Sequence, residues 1–183
     1  MGALRAMTAQ ELFEYRHEPY RTELIAGRLV RMEPAGGLHG TVAAQIGGLL
    51  IAHVLPRRLG KVLGAETGYI LELDPDTVRA PDASFLSRER IAAMGGIPSG
   101  YIPGPPDLAF EVISPGDRRG EVQSKTRSWL QAGTKAVVVI DPRRGTATIH
   151  RPDGSTTEHG RADVLALDDV LPGFPPALAD VLD

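Results

Sequence analysis

The sequence predicts an α/β fold, with a mixed central sheet flanked by helices and a hairpin towards each end of the chain. Three patterns point there. "PPDLAFEVISP" (Pro105–Pro115) and "KAVVVID" (Lys135–Asp141) carry nearly continuous apolar runs, as strands covered on both faces do. A helical stretch from about Arg119 to Ala132 lies between them, long enough for a crossover joining parallel neighbours. "ELIAGRLVRM" (Glu23–Met32) and the pair "TATIH" and "STTEH" around "RPDG" read as hairpins.

Taken in order, "TAQE" is a capping box with Thr8 as N-cap and Glu11 at N3, so a first helix runs from about Thr8 to Tyr15. The first hairpin turns at Ala26-Gly27. From His39 to Leu55, the residues Val42, Ile46, Leu49, Leu50 and Val54 recur at helical spacing, and Pro56 closes the run. Gly47-Gly48 inside that helix implies close packing against another element. "TGYILEL" (Thr67–Leu73) and "VRAPDASFL" (Val78–Leu86) read as strands joined by the turn "DPDT", and Ser87 caps a short helix through Met94. "GGIPSGYIPGPP" (Gly95–Pro106) has no periodicity and reads as a functional loop bordering the site. Gly133 ends the crossover helix, and a short "ALADVL" helix closes the chain. "PRRLGK" and "DPRRG" read as exposed turns, and "DRRGE" as a solvated helix start with Asp117 near the N-cap.

The 183 residues suit a single domain spanning 1–183, with about residues 1–7 as a disordered or start-site extension ahead of the capping box. A chain 42% hydrophobic and 23% charged has the make-up of a soluble globular protein. Its net charge of −3 gives no overall basic footprint, so nucleic acid would have to be met by a local groove. The absence of cysteine excludes disulfides and thiolate metal sites and points to a cytoplasmic setting. The most apolar segment, Thr41–Leu55, falls short of the roughly 20 residues of a membrane span, so no membrane partner is expected. No nucleophile elbow, Walker A loop or dinucleotide fingerprint occurs, which removes serine hydrolase, NTPase and dehydrogenase readings. "HRPDGSTTEH" fits no zinc spacing, and a hairpin turn explains it.

Glu111 is the wrong letter in a buried strand, because an ionised carboxylate without a partner is costly to bury. A second acid, Asp82, stands in the strand-like "APDASFL" directly after Pro81. Lys125 lies three residues after Val122 and four before Trp129, on the inward stripe of the crossover helix. Two carboxylates and a lysine converging on one sheet end suit a hard divalent cation such as Mg²⁺ (or Mn²⁺), which takes oxygen ligands. Blander readings stand beside these. Asp82 can be a turn acid, Lys125 can pair with Glu121 on its own helix, Glu23 can be the polar opening of a hairpin, and His39 can simply begin its helix.

These landmarks resemble the PD-(D/E)XK nuclease signature, and more narrowly the Uma-type family of bacterial proteins classed as restriction endonucleases. The shared stretches are "ELIAGRLVRM", "GGLHGTVAAQIGGLL", "RAPDASFL", "PPDLAFEVISP", the downstream Lys125 and "AVVVIDP", covering the chain from about Thr8 to its end. The resemblance implies a restriction-endonuclease-like fold and metal-dependent hydrolysis of DNA phosphodiesters. It makes Asp82 and Glu111 metal ligands, the Val112 carbonyl a third, and Glu23 an additional acid at the site. The lysine expected at position 113 is Ile113, and Lys125 on the next helix takes its part. His39 matches a family histidine to which no role is attached. DNA and a second copy of the chain, as a homodimer, are the partners implied. The rival class is a catalytically inactive nuclease fold serving as a DNA-binding or assembly module, and a hydrolase of another substrate is the third.

Overall fold

The computed structural model describes residues 5–15, 20–174 and 176–183. The α/β architecture is the expected one, with the strands divided between two mixed sheets. Residues Arg21–Ile25 (β1) and Arg28–Met32 (β2) form the first hairpin. Ala26 and Gly27 both take positive φ at its tip, as a turn matching the twist of two antiparallel strands requires. With Tyr69–Glu72 (β4), Thr77–Arg79 (β5) and Ile102–Pro103 (β7) they make a five-stranded sheet of order β2-β1-β5-β4-β7.

The larger sheet has six strands: Gly60–Gly64 (β3), Ala83–Ser87 (β6), Leu108–Val112 (β8), Ala136–Asp141 (β9), Thr146–His150 (β10) and Thr156–Gly160 (β11), ordered β11-β10-β9-β8-β6-β3. β8 and β9 pair in parallel across the crossover helix α4 (Arg119–Ala132), which Gly133 ends in the left-handed region at φ 106. The capping box at Thr8 opens α1 (Ala9–Glu14), and Ser87 caps α3 (Arg88–Ala93). The chain ends with α5 (Leu178–Leu182).

Side chains along β8 alternate between faces. Leu108, Phe110 and Val112 join the core built with α2 (Gly37–Arg57) and α5, while Ala109 joins the cluster holding Trp129 of α4. Glu111 therefore belongs to the α4 side of the sheet.

Several expectations change here. The segment Val78–Leu86 is two strands in two sheets, because Pro81 has no N–H to continue a ladder. The stretch Ala80-Pro81-Asp82 is the step from one sheet to the other. Lys61 of "PRRLGK" belongs to edge strand β3, whose few β-favouring residues hid it. The loop Gly95–Pro106 contains β7, which lies parallel to β4 and buries Ile102. The start of α4 is as expected: Asp117 lies exposed next to the N-cap, Arg118, and accepts from the Ser114 N–H.

Helix α2 differs most from its sequence reading. It runs 21 residues, with Pro56 inside its final turn, and is by length and composition long and apolar enough to cross a membrane. Its Val42, Ile46, Leu50 and Val54 are buried in the core beneath the larger sheet. Gly47 and Gly48 pack against nothing: no atom of another element lies within 4 Å of where a Cβ would stand at either. These glycines leave space for a cleft beside the site.

Candidate active site

The site sits where the two sheets meet. Glu23 comes from β1, Asp82 from the step into β6, Glu111 from β8, Lys125 from α4 and His39 from the first turn of α2. Strand alternation turns Glu111 towards α4, and the i, i+3, i+4 face of α4 that buries Trp129 brings Lys125 towards the same point.

Lys125 is the hub. Its Nζ lies 2.8 Å from Glu111 Oε2 and 3.4 Å from Glu23 Oε1, and it donates to the Ala80 carbonyl at 2.9 Å. The pair with Glu121 offered by the sequence is not made, because the lysine faces inward. Glu111 Oε1 accepts from the Trp129 indole N–H at 2.7 Å. Glu23 is fixed from several sides: Oε2 accepts from Arg79 at 3.0 Å, and Oε1 from the Ala80 N–H at 3.1 Å. Asp82 Oδ2 accepts from the Val112 N–H at 2.8 Å and lies 3.2 Å from His39 Nε2. Among the described residues no hydrogen bond reaches Asp82 Oδ1, which has the Arg21 guanidinium 4.0 Å away.

All three acids are buried: Glu23 is 2% exposed, Asp82 6% and Glu111 7%. Burial pushes Glu111 up to about 7; Asp82 and Glu23 push the same way, and Lys125 opposes them. For Lys125, burial disfavours the ammonium, but the carboxylates of Glu111, Glu23 and Asp82 outweigh it and raise its pKa. Burial likewise works against the Asp82 carboxylate, yet the His39 hydrogen bond and the Lys125 charge hold it below its ordinary value. The same hydrogen bond to Asp82 raises His39.

The structure thus brings together Asp82, Glu111, Lys125 and Glu23, with Val112 contributing its amide to Asp82. Ile113 packs with Val122 and Leu130 in the apolar cluster around Trp129, so a lysine at that position would face α4's apolar side. His39, weighed without a role, proves to be a partner of Asp82. Three residues escaped the sequence reading: Arg21, Arg79 and Trp129. Trp129 signalled only apolar packing by its position in the stripe, although a buried indole N–H needs an acceptor. Asp107, in a second Pro-Asp pair, is buried but tied to the Ser87 N–H, Arg90 and Lys135, well accounted for as a clamp between β8 and its neighbours.

A cleft of about 750 Å³ opens beside Asp82 and His39, between α2 and the segments around Met32 and Gly64. The loop Gly95–Pro106 does not line it among the described residues; its Tyr101 borders a small pocket with Arg21, Arg79 and Ala80.

Residues 9–179 match the Uma2 family, described as "Putative restriction endonuclease". The chain belongs to the Uma2 family. Among solved structures it is similar to a putative nuclease of DUF820 from Anabaena variabilis, at a TM-score of 0.83, covering 96% of this chain and 97% of that one. Their sequences are 19% identical, so that likeness concerns the fold. Comparison with curated proteins returned no match. This Uma2 chain is a nuclease-like protein in family and fold.

The donors present can be tested against a bound metal. Among the described residues no group of three His, Cys, Asp or Glu side chains is arranged to hold an ion. That argues against a cage of side chains such as zinc or calcium takes. Mg²⁺ asks for less: one or two carboxylates, waters and a substrate phosphate. Among the described residues Asp82 Oδ1 has no hydrogen bond, while Glu111 and Glu23 are met by Lys125 and Arg79. In a strand, N–H and C=O of one residue face the same edge, so the Val112 carbonyl lies on the Asp82 side of β8. The oxygens present fit the group.

Proposed function

We propose that the protein hydrolyses DNA phosphodiester bonds in a Mg²⁺- or Mn²⁺-dependent reaction centred on Asp82, Glu111 and Lys125. The observation that carries this reading is the inward-facing Lys125 reaching from α4 into an acid cluster whose strand lacks a lysine at 113. Asp82, Glu111 and the Val112 carbonyl would hold the metal. When bound, it supplies Lewis-acid activation of the scissile phosphate and of an attacking water.

The chain's own groups do the remaining work. The Lys125 ammonium stands where it can orient the water and offset charge on the pentavalent phosphorus. Glu23 acts as a positioning residue: Arg79 and the Ala80 N–H fix its carboxylate, and that carboxylate fixes Lys125. Trp129 does the same for Glu111. His39 and the Val112 N–H hold Asp82 Oδ2 and leave Oδ1 without a hydrogen bond among the described residues. DNA is the partner, and pairing of two sites in a homodimer would serve double-strand cleavage.

A binding or assembly role without catalysis is the second reading. It is favoured by Glu111 having both oxygens engaged, one by Trp129 and one by Lys125. Incubating plasmid and oligonucleotide DNA with the wild type, Glu111→Gln and Lys125→Met, in Mg²⁺ and in EDTA, separates the two. Cleavage that needs Mg²⁺ and disappears in both variants supports hydrolysis. DNA retained by all three proteins with no cleavage by any supports the second reading.

A further inference from the structure

The cleft beside Asp82 has a character unlike a duplex-binding surface. Its floor is the face of α2 that carries Gly40, Ala43, Ala44, Gly47 and Gly48. At Gly40, Gly47 and Gly48 a Cβ would meet no atom of another element within 4 Å, so the floor is smooth and open. The volume of about 750 Å³ lies within the roughly 300–1,000 Å³ of clefts that enclose small-molecule-sized ligands. It adjoins the site, since Asp82 and His39 belong to its lining.

The charges along it point the same way. Arg21, beside Asp82, brings a guanidinium to the lining, and Glu33 and Glu66 bring carboxylates. A backbone running along this cleft would set successive phosphates against those two acids, whereas one nucleotide entering it brings a single phosphate, beside Arg21. A nucleobase carries no charge and has two apolar faces. Tyr20 belongs to the lining, half exposed, with the Arg31 guanidinium 5.8 Å from its ring centre. An aromatic ring backed by a guanidinium is a surface on which an unpaired base stacks.

We infer that this cleft takes an unpaired nucleotide, its base against the glycine–alanine face of α2 and beside Tyr20, so that the Asp82–Glu111 site is addressed by single-stranded DNA or an unpaired end. The inference rests on the nuclease reading above and names its substrate class. The phosphate of that nucleotide faces Arg21 and the acid cluster, and the base lies along the uncharged floor.

The test measures fluorescence anisotropy of a labelled thymidine oligonucleotide and of a duplex of equal length in Ca²⁺ buffer. The proteins are wild type, Gly47→Leu, Gly47→Ala and Tyr20→Ala. Gly47→Leu fills the cleft while replacing a helix-weakening residue, so its melting temperature should hold or rise. Wild type is expected to bind the single strand about tenfold or more tightly than the duplex. Gly47→Leu and Tyr20→Ala should each weaken single-strand binding by about fivefold or more and leave duplex binding unchanged. Should Gly47→Leu fail to fold, Gly47→Ala and Tyr20→Ala decide between the outcomes.

Equal or tighter duplex binding, or unaltered single-strand binding by the folded variants, would overturn the inference. So would a dimeric wild type that becomes monomeric as Gly47→Leu, because a second copy would then occupy the cleft. Cleavage in Mg²⁺, followed in parallel, reports the nuclease reading separately. Preference for single strands without cleavage keeps this inference and refutes hydrolysis; duplex cleavage without that preference does the reverse.

Discussion

Lys125 Nζ stands 2.8 Å from Glu111 Oε2, an ion pair between the crossover helix and the strand that precedes it. The pair joins two elements that the chain topology already holds together, so the lysine need not come from the strand itself. It also explains how Glu111 is tolerated in a strand whose other residues are apolar.

Lys125→Met should destabilise the fold. It leaves Glu111 and Glu23 buried with their shared cation gone, and breaking a buried pair in this way costs about 3–5 kcal/mol. Urea unfolding checks this, with the midpoint falling and the slope unchanged. A loss below about 1 kcal/mol would mean that the Lys125–Glu111 pair contributes little to folding. Lys125→Arg should not restore activity, since a planar guanidinium cannot reproduce an ammonium that meets Glu111, Glu23 and the Ala80 carbonyl at once.

Stability without metal should fall as pH rises. Glu111 has an ordinary value of 4.5 and is pushed up to about 7 by burial, then by Asp82 and Glu23. Below the unfolded value both states hold the proton; between the two values the unfolded chain gives it up first, and folding becomes progressively less favourable. His39, raised by Asp82, works in the same direction, its stabilisation being lost as pH climbs through its folded value. Thermal melts in EDTA should therefore decline across about pH 4.5 to 7, and Glu111→Gln should flatten most of that slope. A slope unaltered in the variant would show that another group carries it.

Trp129→Phe removes one donor and keeps the ring. Glu111 Oε1 then loses its 2.7 Å hydrogen bond in a buried setting, a loss of about 1–3 kcal/mol. The acid should titrate higher still, so the pH at which Mn²⁺ begins to bind should shift upward. A variant with wild-type metal binding at every pH would leave Trp129 with a packing role alone.

Glu23→Gln distinguishes a positioning acid from a ligand. Arg79 would face an amide in place of a carboxylate in a buried site, and stability should drop by about 2–4 kcal/mol. Mn²⁺ stoichiometry should be retained, with activity reduced through a misplaced Lys125. A lost metal equivalent would make Glu23 a ligand.

Much of this was legible in the sequence for reasons that can be named. A crossover helix ending at Gly133 between two apolar strands leaves little freedom of topology, and α4, β8 and β9 fall where the pattern placed them. Glu111 and Lys125 announce themselves by sitting on apolar faces. Arg79 and Arg21 do not, because an arginine in a short, half-polar strand looks like any solvated one. The step at Ala80-Pro81-Asp82 was invisible for another reason: Val78–Leu86 reads as one strand-like run across a single proline, while the change of sheet depends on partners remote in sequence. Gly47 and Gly48 misled because a helical glycine signals either a close neighbour or an empty space, and only the fold tells which.

The measurement that bears most directly on the central claim is calorimetric titration of Mn²⁺ into wild type and Glu111→Gln at pH 8, where the acid is ionised. Saturable binding by the wild type, lost in the folded variant, is the predicted result. Identical titrations up to millimolar metal would contradict a site built on Glu111.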